Sequence, residues 1–122
     1  MKITRIHHAQ ITVPEGSEDE AREFYCGVLG LPEVPKSAAL AGRGGFWLGV
    51  GDQQVHVGIE PDVNRAVTKA HLAYEVSGLD QWRQALQERG IKVLESVPIL
   101  GFDRFEFRDP FGNRVEFIEA LL

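Results

Sequence analysis

The second half of the chain repeats the organisation of the first half, and this repeat limits the folds that the chain can adopt. His8 in the run HAQITV recurs as His71 in HLAYEV, and His56 in VHV recurs as Glu116 in VEF, about 60 residues further on. We call these four the repeat residues. An offset of this size is longer than most solenoid repeats, and two copies are too few for an array. The pattern therefore predicts the duplication of one small module.

Both halves predict the same order of elements. A strand-like run is followed by a helix-like run that ends at a glycine, and three short strands complete each half, the last two joined by a turn. The chain is therefore expected to form one α+β domain over residues 1–122. Module one is expected at about 1–60 and module two at about 66–122.

Alternation along the strands predicts which residues share a face, because successive side chains point to opposite sides of a sheet. Each of the four repeat residues lies on the polar face of its strand, opposite a face of apolar residues. Trp47 stands nine positions before His56, and Phe107 stands nine positions before Glu116. This shared spacing supports the alignment of the two halves as copies of one module.

Two amphipathic helices are expected to cover the apolar faces. Ser17, with Glu20 three residues later, resembles a capping box at the start of the first helix. Ser77, with Asp80 three residues later, is a weaker version at the second. The helices are therefore predicted on the outside of the sheets, away from the repeat residues.

Charge and composition exclude several classes of function. The net charge is -5 and the isoelectric point is near 5.3, which argues against a nucleic-acid partner because phosphates require a basic face. No run approaches the length of a membrane span or a signal peptide, so we expect no membrane partner and a cytoplasmic location. The single cysteine, Cys26, has no partner for an intramolecular disulfide and is expected to pack in the first helix.

The repeat residues supply three imidazoles and one carboxylate, which suit a single divalent transition metal such as Fe, Mn, Zn, Ni or Co. Calcium and magnesium prefer oxygen ligands and are not expected. His7 has the opposite strand parity to His8, so it is expected to point away and to bind no metal.

Three segments together resemble the vicinal oxygen chelate superfamily, which includes glyoxalases, extradiol dioxygenases and bleomycin resistance proteins. They are the closing run RDPFGNRVEFIE, the opening strand with its histidine, and FYCGVLGL. The resemblance implies two tandem βαβββ modules whose sheets curve around a metal-binding cavity. It also implies metal ligands at His8, His56, His71 and Glu116, and a homodimer.

His56 departs from the commoner pattern, because glyoxalase-like members tend to carry a glutamate there. It is expected to be a fourth ligand, or else a catalytic acid or base or a substrate contact beside a metal with three protein ligands, and a structural role is the remaining alternative. Arg43 and Arg104 are expected before the third strand of each half, where a guanidinium can hold a carboxylate or phosphate. The alternative for both arginines is a solvated position in a loop. Phe102 is expected to form an apolar wall of the substrate site.

Two functions follow from these expectations. The first is a metal-dependent enzyme acting on a small oxygen-chelating metabolite by lyase, isomerase or dioxygenase chemistry. The second is a non-catalytic protein that sequesters a drug or metabolite, as bleomycin resistance proteins do. The complete set of ligands favours the enzyme.

Overall fold

The computed structural model describes every residue from Met1 to Leu122, and the chain divides into two compact units, Met1–Val63 and Asn64–Leu122. Unit 1 contains β1 (His8–Val13), α1 (Glu18–Arg22), a π-helical turn (Glu23–Val28), β2 (Glu33–Val34), a 3-10 helix (Ala38–Arg43), β3 (Phe46–Val50) and β4 (Gln53–Ile59). Unit 2 contains a 3-10 helix (Arg65–Val67), β5 (His71–Glu75), α2 (Leu79–Glu88), β6 (Leu94–Glu95), β7 (Phe102–Arg108) and β8 (Arg114–Ala120). The predicted α+β fold of two βαβββ modules is confirmed.

The sheets of the two units have the same topology. Their strand orders are β1-β4-β3-β2 and β5-β8-β7-β6, so the first and last strands of each module are neighbours. These neighbours run parallel, while the other pairs are antiparallel. The parallel pair aligns Gln10 with His56 and Ala73 with Glu116. Each unit therefore brings its own two repeat residues onto adjacent strands.

The helices lie against the apolar face of each sheet. In unit 1 the Arg22 guanidinium of α1 lies 4.7 Å from the ring centre of the buried Phe46. In unit 2 the rings of Trp82 on α2 and Phe117 on β8 are 5.2 Å apart, edge to face. Phe117 adjoins Glu116 in the chain and so faces the opposite way. In both units the helix therefore leaves the polar face uncovered, as the sequence predicted.

Neither predicted serine cap is formed. The Ser17 hydroxyl donates to the carbonyl oxygen of Pro14 instead of accepting from a helix N–H group. α2 begins at Leu79, and its N-cap is Gly78, in the left-handed conformation, and not the predicted Ser77. The carboxylate of Glu119 on β8 accepts the N–H groups of Gly78 and the next residue, at 2.6 and 3.3 Å. A distant carboxylate thus caps α2, and a local motif cannot reveal it.

The closing hairpins differ in their cross-strand register, although Trp47 and Phe107 hold matching positions in the repeat. Trp47 pairs directly with His56, but Phe107 pairs with Val115, and Glu106 pairs with Glu116. The loop between β3 and β4 has two residues, whereas the loop between β7 and β8 has five. Because these lengths differ by an odd number, β7 is shifted by one residue relative to β3, which moves its side chains to the other face.

The helical segments are short, and α1 passes directly into the π-helical turn. Cys26 lies in that turn, half-buried, and burial raises the pKa of its thiol. A thiol of this kind is mostly protonated at neutral pH, which agrees with the predicted packing role. None of the helices has the length and hydropathy that crossing a bilayer requires.

Candidate functional site

Unit 2 carries a cluster of ionisable side chains on the polar face of its sheet. His71 begins β5, Glu116 lies on β8, and Glu106 lies on β7 opposite Glu116. The potential ligand atoms of these three residues all lie within 4.8 Å of one another. Glu106 and Glu116 are 8% and 3% exposed, although carboxylates are rarely buried without a positive partner. The cluster therefore has the composition and spacing of a metal-binding group.

The hydrogen bonds of His71 orient its ring toward Glu116. His71 Nδ1 lies 2.8 Å from the carbonyl oxygen of Lys69, and because a carbonyl only accepts, Nδ1 carries the hydrogen. In neutral imidazole this leaves Nε2 as a lone pair, 3.1 Å from Glu116 Oε1. Two acceptors at that distance attract one another only when a proton or a metal ion lies between them. A backbone carbonyl on the other nitrogen is also the usual support of a metal-binding histidine.

Two arginines balance the charge of the buried carboxylates. Arg104 Nη1 lies 3.0 Å from Glu116 Oε1 and 3.7 Å from Glu106 Oε1. Arg114 makes a bidentate contact with Glu106, at 2.5 and 2.7 Å. The Arg114 hydrogen bonds hold the pKa of Glu106 below its ordinary value, although burial acts in the opposite direction. Glu106 is therefore anionic at neutral pH, and each of the two carboxylates contacts an arginine.

The structure corrects part of the predicted site in unit 2. Arg104 does not precede the third strand but lies inside β7, where it contacts Glu116 and the carbonyl oxygen of Val97. Phe102 begins β7 and is half-buried. Glu106 was not among the predicted ligands, because the matching position of the first half carries an apolar residue, Phe46. The longer β7–β8 loop was the signal that could have revealed it.

Unit 1 brings His8 and His56 together in a stack of three rings. The His56 ring lies between Trp47, with ring centres 4.0 Å apart, and His8, with ring centres 4.1 Å apart. The angles between the planes are 2° and 18° respectively. Because the lone pairs of an imidazole lie in its ring plane, those of two nearly parallel rings do not converge on one point. In this arrangement the two histidines do not both face a common ion.

His56 is held neutral and in one orientation. It is 7% exposed, and its Nε2 lies 2.9 Å from Gln54 Oε1, which can only accept, so Nε2 carries the hydrogen and Nδ1 is the basic nitrogen. Burial lowers the pKa of His56, as do the nearby His8, His7 and Lys36. A neutral imidazole is what either predicted role requires, since a protonated one neither binds metal nor accepts a proton.

The expectation that His7 points away from His8 was wrong. Their Nδ1 atoms lie 3.0 Å apart, and the rings meet edge to face with centres 5.2 Å apart. Strand alternation fails here because β1 begins at His8, and His7 precedes it. The expectation that His7 binds no metal stays a prediction.

A pocket of about 540 Å³ opens beside the stacked rings in unit 1. His7, His8 and His56 contribute to its lining, as do Trp47, Lys36 and Arg43. Arg43 ends the 3-10 helix that precedes β3, the position that the sequence predicted for it. The volume lies within the range that small-molecule sites usually have.

The fold and these sites define a chain of the glyoxalase type. Residues 5–117 match the model of the Glyoxalase/Bleomycin resistance protein/Dioxygenase superfamily, and the chain belongs to this family. The resemblance recognised in the sequence is thereby confirmed. No match was found among curated proteins.

Solved structures give the same result. A glyoxalase family protein from Bacillus anthracis is 40% identical, with a TM-score of 0.90 over 99% of this chain and 98% of that one. A lactoylglutathione lyase from Agrobacterium tumefaciens is 22% identical, with a TM-score of 0.74 over 98% and 96%. An antibiotic-binding protein from Streptomyces is 19% identical, with a TM-score of 0.73 over 99% of both chains. The last two show the fold alone, and this fold serves both an enzyme and a binding protein.

Proteins of this superfamily typically bind a metal, and the donor atoms of unit 2 fit one. His71 offers one imidazole nitrogen, since its other nitrogen already has a hydrogen-bond partner, and Glu116 and Glu106 offer carboxylate oxygens. Mixed nitrogen and oxygen ligands suit Fe, Mn, Co, Ni or Zn. The prediction that all four repeat residues bind one ion stays a prediction.

Proposed function

We propose that the protein is a metal-dependent enzyme of the glyoxalase or dioxygenase type, acting on a small oxygen-chelating metabolite. One observation carries this proposal. His71 Nε2, oriented by the Lys69 carbonyl on its other nitrogen, faces the Glu116 carboxylate at 3.1 Å, and Glu106 brings a second carboxylate within 4.8 Å of both. Lyase, isomerase and dioxygenase chemistry are all consistent with this centre.

His71 and Glu116 are the proposed ligands of unit 2, and His8 and His56 are the further ligands that the sequence predicts. When bound, a divalent metal supplies Lewis-acid stabilisation to an oxygen that becomes negative during the reaction. The protein contributes the orientation of its ligands: the Lys69 carbonyl fixes His71, and two strand neighbours fix Glu116 within the sheet.

His56 has two proposed roles, a catalytic base and a fourth metal ligand, and its geometry does not support them equally. Its fixed tautomer leaves Nδ1 free of the Gln54 hydrogen bond, and the lowered pKa keeps that nitrogen unprotonated at neutral pH. Both features suit a catalytic base. The ligand role additionally requires that His56 or His8 leave the stack with Trp47. The geometry supports the base more directly than the fourth ligand.

The proposed function requires that a ligand with two neighbouring oxygens bind the metal. The test is a titration of Co(II)-loaded protein with acetohydroxamate, which presents such oxygens, and with acetamide, which does not. We expect the visible absorption of Co(II) to change saturably with acetohydroxamate only. The same spectrum in His71→Ala should show no protein-bound Co(II). An unchanged Co(II) spectrum at saturating acetohydroxamate would contradict an open, chelating centre.

A second candidate function is sequestration of a drug or metabolite without catalysis. The stacked rings of His8 and His56, which do not face a common ion, and the 540 Å³ pocket beside them favour it. The two functions differ in their dependence on metal. A sequestering protein would bind its ligand equally well after metal removal and would return the ligand unchanged.

A further inference from the structure

The pocket of unit 1 has an unusual charge for this chain. The protein carries 18 acidic residues against 13 lysines and arginines, yet none of the residues that line the pocket is acidic. Lys36 and Arg43 lie in its wall, together with the three histidines of the unit. The lining therefore collects positive charge on a protein whose net charge is negative.

The two cations of the pocket lack the carboxylate partners found elsewhere in the chain. In unit 2, Arg104 and Arg114 each contact a buried glutamate. Lys36 donates only to a neutral carbonyl, that of Gly44, at 2.6 Å, and Arg43 takes part in no ion pair. The carboxylate that comes near this loop, Glu18, accepts the N–H of Gly45 and does not line the pocket.

Lys36 is also held in place. Its contact with Gly44 ties the segment before the 3-10 helix to the segment after it, and the side chain is half-buried. An ammonium group has three hydrogens, so this contact leaves others to donate. A fixed cation loses little conformational entropy when an anion binds, which makes it a better anion ligand than a mobile surface lysine.

We propose that this pocket binds the anionic group of a small organic oxyanion, a carboxylate or a phosphate, through Lys36 and Arg43. This inference rests on the proposed function: the metabolite on which the enzyme acts would carry the carboxylate or phosphate that binds here. Arg43 supplies paired donors that match either oxyanion, and Lys36 supplies a point charge. Trp47 lies in the same lining and reports on occupancy.

The test uses tryptophan fluorescence in a Trp82→Phe background, which leaves Trp47 as the only tryptophan. The protein is freed of metal on a chelating resin, so anion binding is measured independently of the metal centre. Inorganic phosphate and acetate are titrated at low salt, with acetamide as the uncharged control. We expect saturable changes with one or both anions and none with acetamide, and the anion that binds more tightly identifies the class.

Three variants in that background decide the assignment. Losing a charge-assisted contact should weaken anion binding roughly tenfold or more in Lys36→Met and in Arg43→Gln. Lys92→Met, which removes an exposed lysine of unit 2, should leave it unchanged. Arg43 has no ion pair to lose, so its variant keeps the test valid even if Lys36→Met folds poorly.

The outcomes separate this inference from the proposed function. If neither phosphate nor acetate binds, or if Arg43→Gln and Lys92→Met bind the anion equally well, the inference is overturned while the result of the Co(II) experiment stands. Anion binding that depends on Arg43 in a protein that never takes up metal supports the pocket and contradicts the metal-dependent enzyme.

Discussion

Arg104 places a positive charge where a metal ion would compete for the same carboxylate. Its Nη1 lies 3.0 Å from Glu116 Oε1, the oxygen that His71 Nε2 also faces. The side chains of Arg104 and Glu116 are 20% and 4% exposed, so solvent screens this pair only weakly. A metal ion at Glu116 must displace the guanidinium or bind beside a like charge. We therefore predict that Arg104→Met binds metal more tightly than wild type.

The size of the effect follows from the contact that is lost. Hydrogen bonds to charged groups contribute about 1.5–3 kcal/mol, and each 1.4 kcal/mol is a factor of about ten. The dissociation constant for Zn(II) or Co(II) should fall by roughly ten- to a hundredfold. The metal-free variant should lose about the same 1.5–3 kcal/mol in the free energy of unfolding, because the buried Glu116 carboxylate then lacks the guanidinium.

Both quantities can be measured on the same preparations. Metal affinity is measured by competition with a chromophoric chelator, and stability by urea unfolding of metal-free protein. Arg83→Met is the matched control, since it removes an arginine of unit 2 that pairs with Asp80 and Glu95 outside the cluster. It should leave the metal affinity unchanged. Weaker metal binding in Arg104→Met would refute the reasoning, since it would mean that the guanidinium supports the bound state.

Three further predictions concern stability and assembly. Gly45→Ala should lower the free energy of unfolding, measured by urea, by roughly 3 kcal/mol or more, because Gly45 has a φ of +75° and an added Cβ would lie 2.2 Å from the Val57 carbonyl oxygen. Gly30 has a similar φ of +76°, but an added Cβ would meet no neighbouring atom, so Gly30→Ala should lower the same free energy by only about 1 kcal/mol. Burial and the neighbouring Asp109 raise the pKa of Tyr74 to about 12, so the neutral phenol is favoured in the folded state. The stability due to Tyr74 is therefore complete below about pH 10 and is lost as the pH rises toward 12, by roughly 2–3 kcal/mol. A Tyr74→Phe protein that lost stability as steeply as wild type between pH 10 and 12 would disprove this. The outer strands β1 and β5 each pair on only one side within their own sheets, and a partner chain that covers such an edge stabilises it. We therefore expect a homodimer in sedimentation at micromolar concentration, and a monomer would contradict this.

The strands and the polar faces of both sheets could be predicted from the sequence because their signals are local. Alternation placed His56 and Glu116 opposite apolar neighbours, and the structure keeps them there. Because the first and last strands of each module pair, the strand of His56 lies next to that of His8, and the strand of Glu116 lies next to that of His71. Duplication strengthened the prediction, since each half tested the other.

The features that escaped prediction depend on distances along the chain or on strand ends. Glu106 enters the cluster only because the β7–β8 loop is longer than its counterpart by an odd number of residues. Glu119 caps α2 from another element, so Ser77 was a misleading signal. His7 precedes β1 and escapes the alternation rule. Each case needs the register or the end of a strand, which sequence pattern defines least well.

The central claim is that this chain binds a metal through the repeat residues. The most direct measurement is the metal content of protein purified anaerobically without added metal, for wild type, His71→Ala and His7→Ala. We predict about one transition-metal ion per chain in wild type and in His7→Ala, and a small fraction of that in His71→Ala. Full metal content in His71→Ala together with loss in His7→Ala would contradict it.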